Sequence, residues 1–169
     1  MNQVEIETEQ ARIFAPLHRP QGLSSKQVEY KLRRMVNDYL QPPKTRQKIE
    51  IALKRFDEIR ADITQINATH PHELMRAAEV SVILDCAEMA ARASLFRTES
   101  RWGLYHYRAD FPEKNEQDWF CHAHLKKDEN GNMVSFKMPV EPYLIPIDEQ
   151  EANSYNSLRI QKKLVADLA

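Results

Sequence analysis

"PHELMRAAEVSVILDCAEMAARASLFRT", residues 71–98, decides the fold. Pro71 suits the first position of a helix, where the missing N–H is one that no helix start can pair internally. After it, Leu74, Ala77, Ala78, Val80, Val82, Ile83, Leu84, Cys86, Ala87, Met89, Ala90, Ala91, Ala93, Leu95 and Phe96 carry apolar surface round nearly the whole circumference. A helix that is apolar all round is expected to be buried all round. Two partner helices in a bundle cover only part of such a circumference. The alanines leave room for a further surface to approach closely, either the chain's own C-terminal part or another protein.

The two partners lie upstream. Residues 2–14 predict a short polar lead-in helix, broken by Pro16, Pro20 and Gly22. Ser24 followed by Gln27 has the spacing of a capping box. The helix it opens, 24–40, places Val28, Leu32, Met35, Val36 and Tyr39 at steps of three and four. Pro42 and Pro43 stop it, and Pro43 suits the first turn of the next helix, 44–66. There Ile49, Leu53, Phe56, Ile59, Ile63 and Ile66 share a face, and Lys44, Lys48, Lys54, Arg55, Glu58 and Asp62 lie largely away from it as a solvated surface.

Downstream, Trp119–Lys127 and Met133–Pro139 flank Asn130-Gly131, the dipeptide of a two-residue type I′ hairpin turn. Pro139, Pro142 and Pro146 make the following stretch extended packing chain, and 153–168 carries the spacing of a last helix. The expected fold is mainly α: a three-helix, spectrin-repeat-like bundle followed by a β-hairpin and an extended C-terminal tail. The segments are a lead-in at 1–23, the bundle at 24–98, a charged and aromatic motif with hairpin and tail at 99–147, and a C-terminal segment at 148–169.

Composition removes several function classes. A length of 169 residues suits one domain. Lys+Arg 24 against Asp+Glu 25 leaves a net charge of -1, so no basic excess points to nucleic acid or anionic lipid. Only 3 glycines disfavour a glycine-rich nucleotide loop. No apolar run approaches the roughly 20 residues of a membrane helix, and the polar, acidic N-terminus is not a signal peptide, so a cytoplasmic location without a direct membrane span is expected. Cys86 and Cys121 lack metal-ligand spacing and read as free thiols. Motifs of the form G-x-G-x-x-G, G-x-S-x-G, H-E-x-x-H and C-x-x-C are missing. Ser100 has no adjacent general base. His122 and His124 would share a strand face, and with His106 they make a three-histidine metal site conceivable. Surface histidines are the plainer reading. No catalytic, cofactor-binding or metal-ligating residue is assigned.

The stretch Phe96–Trp119 is different in kind. It sets Arg97, Arg101, His106 and Arg108 against Glu99, Asp110 and Glu113, with Trp102, Tyr105 and Tyr107 between them. Two readings follow. In one, a charged network locks the end of the long helix against the hairpin, because arginine and carboxylate satisfy one another and arginine stacks on aromatics. Glu99 then pairs with Arg97, Arg101 or Arg108. In the other, the segment contacts an anion or a partner.

This segment resembles the C-terminal part of the flavoprotein subunits of succinate dehydrogenase and fumarate reductase. Arg97, Glu99, Ser100, Arg101, Gly103, His106, Arg108, Asp110, Phe111, Pro112, Asp118 and Trp119 match that family's pattern in order. An "ARIFAPL" stretch, the alanine-rich helix and the Asn-Gly hairpin extend the likeness over most of residues 10–145. The common form runs Arg-Gly-Ala-His where this chain has Arg101-Trp102-Gly103-Leu104-Tyr105-His106. The added aromatics look more like the adenylylsulfate-reductase-like branch.

The resemblance implies the C-terminal helical domain of an FAD flavoprotein oxidoreductase, a fragment or a separately encoded chain that holds no cofactor itself, with FAD in the parent flavoprotein. It implies two partners, the flavin-binding domain and a ferredoxin-like iron–sulfur subunit, with membrane association only through partner subunits. The motif residues Arg97, Glu99, Ser100, Arg101, Trp102, His106, Arg108, Asp110 and Trp119 would then be structural or docking residues. The other reading is a free-standing helical interaction module.

Overall fold

A computed structural model describes residues 2–140. The expected proline-rich tail beyond Val140 and the last helix lie outside the described residues. Met1–Met138 forms one compact unit; of the other, Pro139–Ala169, only the first two residues are described.

Five helices and one hairpin follow in order: α1 (Gln3–Phe14), α2 (Ser25–Leu40), α3 (Arg46–Ile63), α4 (Pro71–Phe96), a four-residue α5 (Glu116–Trp119), then β1 (Cys121–Lys127) and β2 (Met133–Pro139). The two strands form an antiparallel sheet. None of the described helices is long and apolar enough to cross a membrane.

The bundle is α2, α3 and α4, each packed on the other two. Its core is Val28 and Leu32 of α2, Ile49, Ala52, Phe56 and Ile59 of α3, and Val80, Leu84 and Ala91 of α4. Each large apolar side chain removed from water here contributes about 1.5–3 kcal/mol. α3 starts two residues later than the prolines suggest. Thr45 is its N-cap, with Oγ1 accepting from Lys48 N at 3.2 Å. α4 starts at Pro71, capped by the His70 side chain, which accepts from Glu73 N.

Two local expectations are corrected. Ser24 is the N-cap of α2, but its side chain makes no capping bond. The capping box lies instead at the start of α1, where Asn2 and Glu5 satisfy each other's backbone N–H groups. The hairpin loop is not a two-residue type I′ turn, for only Gly131 has positive φ, at 81°. Gly131 N donates to Asp128 O and Asp128 N to Asn132 O, giving a three-residue loop that ends in a left-handed glycine. The Asp128 carboxylate selects it by accepting from Asn130 N and Asn132 N. Among the described residues, α4 is covered on one side, and what covers the rest is one of the two surfaces the sequence left open. Leu74, Ala77, Val80, Leu84, Ala87 and Ala91 are buried, whereas Met75, Val82, Cys86, Met89 and Ala90 stay exposed along the opposite side.

Candidate functional site

Where α4 ends, the chain turns back across the bundle, and the charged segment fills the angle between α4, the start of α3 and the hairpin. Glu99 is at its centre and is 0% exposed. Its Oε1 accepts from Arg97 Nη1 and Arg101 Nε, both at 2.6 Å, and its Oε2 from Asn115 N at 2.8 Å and Arg101 Nη2 at 3.1 Å. Burial alone would raise the Glu99 carboxyl's pKa. The bonds from Arg101, Asn115 and Arg97 outweigh it and hold the group below the ordinary carboxylate range.

Arg97 extends the network to the hairpin, donating to Trp119 O at 2.9 Å and Cys121 O at 2.7 Å. Its guanidinium lies 5.2 Å from the centre of the Trp119 ring. Trp119 is buried edge-on against Phe96, and its Nε1 donates to Thr98 Oγ1 at 3.1 Å. Glu99 thus pairs with Arg97 and Arg101, two of its three expected partners.

Arg108 goes elsewhere. Also 0% exposed, it clasps Asp110 through Nε at 2.8 Å and Nη2 at 2.7 Å. Its Nη1 donates to Ser94 O and Arg97 O, backbone acceptors at the end of α4. A helix end leaves carbonyls without intrahelical donors, and a cation there satisfies both their hydrogen bonds and the helix dipole. Asp110 acts reciprocally on α3: its Oδ2 accepts from Arg46 N at 2.8 Å, at the positive end of that helix. The bonds from Arg108, joined by the one from Arg46 N and opposed by burial, bring the Asp110 pKa down from 3.8 to about 2. Ser100 is engaged with backbone only, accepting from Arg108 N at 2.9 Å and donating to Phe111 O at 2.8 Å.

Two members stand differently. His106 is buried, and its Nε2 has no partner among the described residues. Burial first, and then the charges of Lys44, Arg97 and Arg108, push its pKa down, against a hydrogen bond with the Arg97 backbone. Trp102, one of the expected motif residues, is left outside the network, 66% exposed on the far side of a tight loop.

Lys44, Arg46, Ser94 and Asn115 belong to the site and were not expected there. Lys44 forms an isolated backbone bridge with Arg108, N donating to Tyr107 O at 2.9 Å, and its amine donates to Ser94 Oγ at 3.0 Å. Asn115 carried a usable signal, an N-cap residue three before Asp118, whose N it accepts.

The hydrogen bonds of the arrangement tie the end of α4 to the start of α3 and to the hairpin. The Ser100 hydroxyl is tied to backbone groups, and no His, Cys, Asp or Glu trio that could bind a metal occurs among the described residues. Nor do its glycines fit a flavin diphosphate. A Cβ on Gly22 would meet the chain's own Gln65 O at 2.2 Å, and Gly103 and Gly131 face open space. No helix start with a glycine cradle is formed by them.

Residues 29–157 match the family described as fumarate reductase flavoprotein C-term. An uncharacterized FAD-dependent oxidoreductase of Methanocaldococcus jannaschii is 27% identical over 117 residues, 69% of this chain and 21% of that protein. The succinate dehydrogenase flavoprotein subunit of Rickettsia bellii is 25% identical over 128 residues, 73% of this chain and 21% of that one. The adenylylsulfate reductase structure from Archaeoglobus fulgidus superposes with a TM-score of 0.80 at 24% identity, covering 88% of this chain and 26% of that one. A mutant structure of E. coli quinol fumarate reductase gives 0.71 at 17%, covering 89% and 27%. At such identities the structures show a shared fold. The chain spans about a fifth of the length of these curated relatives, 21%.

Proposed function

The chain belongs to the fumarate reductase flavoprotein C-terminal family, and from that premise we propose that it is a non-catalytic docking domain that packs on the flavin-binding part of a succinate dehydrogenase or fumarate reductase-type oxidoreductase. The observation that carries this reading is the uncovered side of α4. Met75, Val82 and Met89 recur every seven residues, with Cys86 and Ala90 beside them, and all are exposed. A row of apolar residues at that spacing is a helix face waiting for a partner. The flavin belongs to that partner, since the glycines of this chain form no diphosphate cradle. A ferredoxin-like iron–sulfur subunit is the proposed second neighbour of the assembled enzyme.

The test mixes the purified chain with the flavin-binding part of the same flavoprotein and follows complex formation by size exclusion, reading protein and flavin absorbance together. The two are expected to co-elute. Val82→Glu and Met89→Glu alter exposed positions, so they are expected to leave the helical circular dichroism intact while preventing co-elution. Co-elution that survives both substitutions overturns the assignment of the α4 face.

A further inference from the structure

His106 ends the loop that begins at Arg101, and Arg101 N donates to His106 O at 2.9 Å across its base. The residue is 8% exposed, and its ring Nε2 is shut off from water without a hydrogen-bond partner among the described residues. A neutral imidazole tolerates this, because an Nε2 lone pair without a donor forfeits one hydrogen bond. A protonated imidazole does not, because both ring nitrogens then donate and the stranded Nε2–H also carries charge.

The surroundings make that charge costlier. Three cations bear on the ring: Lys44 from the connection ahead of α3, Arg97 from the end of α4, and Arg108 two residues further on. The acids nearby are engaged elsewhere. Glu99 accepts from Arg97 and Arg101, Asp110 from Arg108 and Arg46 N, and Glu116 from Lys114 and Arg101. Glu113 meets the segment through its backbone O, which accepts from Ser100 N at 3.1 Å. None of these carboxylates accepts from His106 Nε2.

The loop itself is set to move. Trp102 and Gly103 are both left-handed, at φ 58° and 59°. Glycine tolerates this region, whereas tryptophan is strained there and stays only while the surroundings hold it. What holds it is the bridge at the base of the loop and the guanidinium groups of Arg97 and Arg101, each 5.8 Å from the indole centre. Leu104 and Tyr105 are 78% and 88% exposed, so the residues just before the ring have little packing to give up.

We propose that His106 is a proton-operated release for the 101–106 loop: a proton on its buried ring opens the Arg101–His106 bridge and carries the ring into water, freeing Trp102, Leu104 and Tyr105 while the three-helix bundle stays folded. The release is a property of the chain alone and is independent of its docking partner. Linkage sets the direction. The closed ring is held below the ordinary value of 6.5, so the closed loop is fully stable above that value and loses stability as pH falls below it, down to the lowered value of the closed ring. Glu99 and Asp110 are held below the ordinary carboxylate range by their own pairs, so neither takes up a proton in this interval.

The experiment follows the full chain by NMR from about pH 7 to about pH 5, the range in which a histidine changes charge. The His106 ring is titrated through its Cε1–H signal, assigned through bonds from its own backbone. Exchange of the Arg101 amide is read as protection relative to an unstructured amide at the same pH. The ring midpoint is expected below 6.5. Protection at Arg101 is expected to fall by up to about tenfold per pH unit, the limit for a single proton, while Ile49 and Phe56 keep theirs. Lys44→Met removes one like charge and keeps the stem, and is expected to move the midpoint up. His106→Gln is expected to leave protection at Arg101 level across the range. A midpoint at or above 6.5, or the same protection at both ends of the range, overturns the proposal. So does a loss at Ile49 and Phe56 in step with Arg101, which is global unfolding, and so does a fall that persists in His106→Gln. If His106→Gln does not fold, Lys44→Met decides, and an unmoved midpoint overturns the proposal.

Discussion

Replacing Glu99 by alanine tests the network at the point where most of it converges. The substitution removes four hydrogen bonds to a carboxylate that is 0% exposed. Arg97 keeps two backbone acceptors, Trp119 O and Cys121 O, but no counter-charge. Arg101 keeps only the exposed Glu116, at 3.3 Å. Asn115 N loses its acceptor. Breaking a buried pair by removing one member typically costs about 3–5 kcal/mol, since the other charge is stranded. Arg101 can swing toward Glu116 and water, which places the expectation at about 3 kcal/mol. With a urea m-value of about 1–3 kcal/mol per molar, the midpoint moves down by about 1–3 M. The assay is urea unfolding of the isolated chain followed by far-ultraviolet circular dichroism. The internal control is Glu58→Ala, which breaks an exposed pair with Arg55 and is expected to cost about 0–1 kcal/mol. A change below about 0.5 kcal/mol for Glu99→Ala refutes the reasoning, because a stranded buried arginine cannot be that cheap.

Acid sensitivity should trace in part to Asp110. Its folded pKa is depressed, from 3.8 to about 2, so its contribution is present above the unfolded value and is lost as pH falls through that window. The shift corresponds to at most about 2 kcal/mol, and solvent at this partly exposed carboxyl reduces it to about 1 kcal/mol. Asp110→Asn should therefore flatten the stability profile between those two values, and an unchanged acid limb in urea titrations counts against the pairing. Gly22→Ala should destabilise by about 1–3 kcal/mol, because the new methyl meets backbone atoms, Gln65 O and Asn67 N, that cannot turn away. A thermal midpoint equal to wild type would show that the Leu23–Ile66 bridge gives way more easily than its geometry implies.

Helix starts were legible because prolines and caps act locally: Pro71 opens α4 where expected, and Thr45 fixes α3 beside Pro43. Helix ends were less so. Ile66 continues the apolar face of α3 by spacing, yet the helix stops at Ile63 and Ile66 pairs with Leu23, a neighbour no local pattern reveals. The hairpin's place was readable from Asn130-Gly131, whereas its turn type was set by the Asp128 side chain. Within the site, Glu99 and its arginines are sequence neighbours, so their pairing could be foreseen. Lys44 and Arg46 reach the same place from the other end of the bundle. Their contacts span 50 and 64 residues and exist only once the helices have packed. The setting of Trp102 was not legible for a third reason. Its exposure follows from a left-handed backbone that apolarity does not encode.

The clasp between Arg108 and the carbonyls that close α4 also orders events in time. Neighbouring helices α2, α3 and α4 can find one another through short connections, with little loop entropy to overcome. The Arg108 guanidinium cannot shed its hydration until the last turn of α4, the first turn of α3 and Asp110 are all in position. It is therefore a latch that shuts after the bundle has collapsed, and its loss acts on how fast the domain comes apart more than on how fast it forms. An end latched last is expected to open before the three-helix core does, and amide exchange at Arg101 and Arg108 faster than at Ile49 and Phe56 is the measurement that checks it.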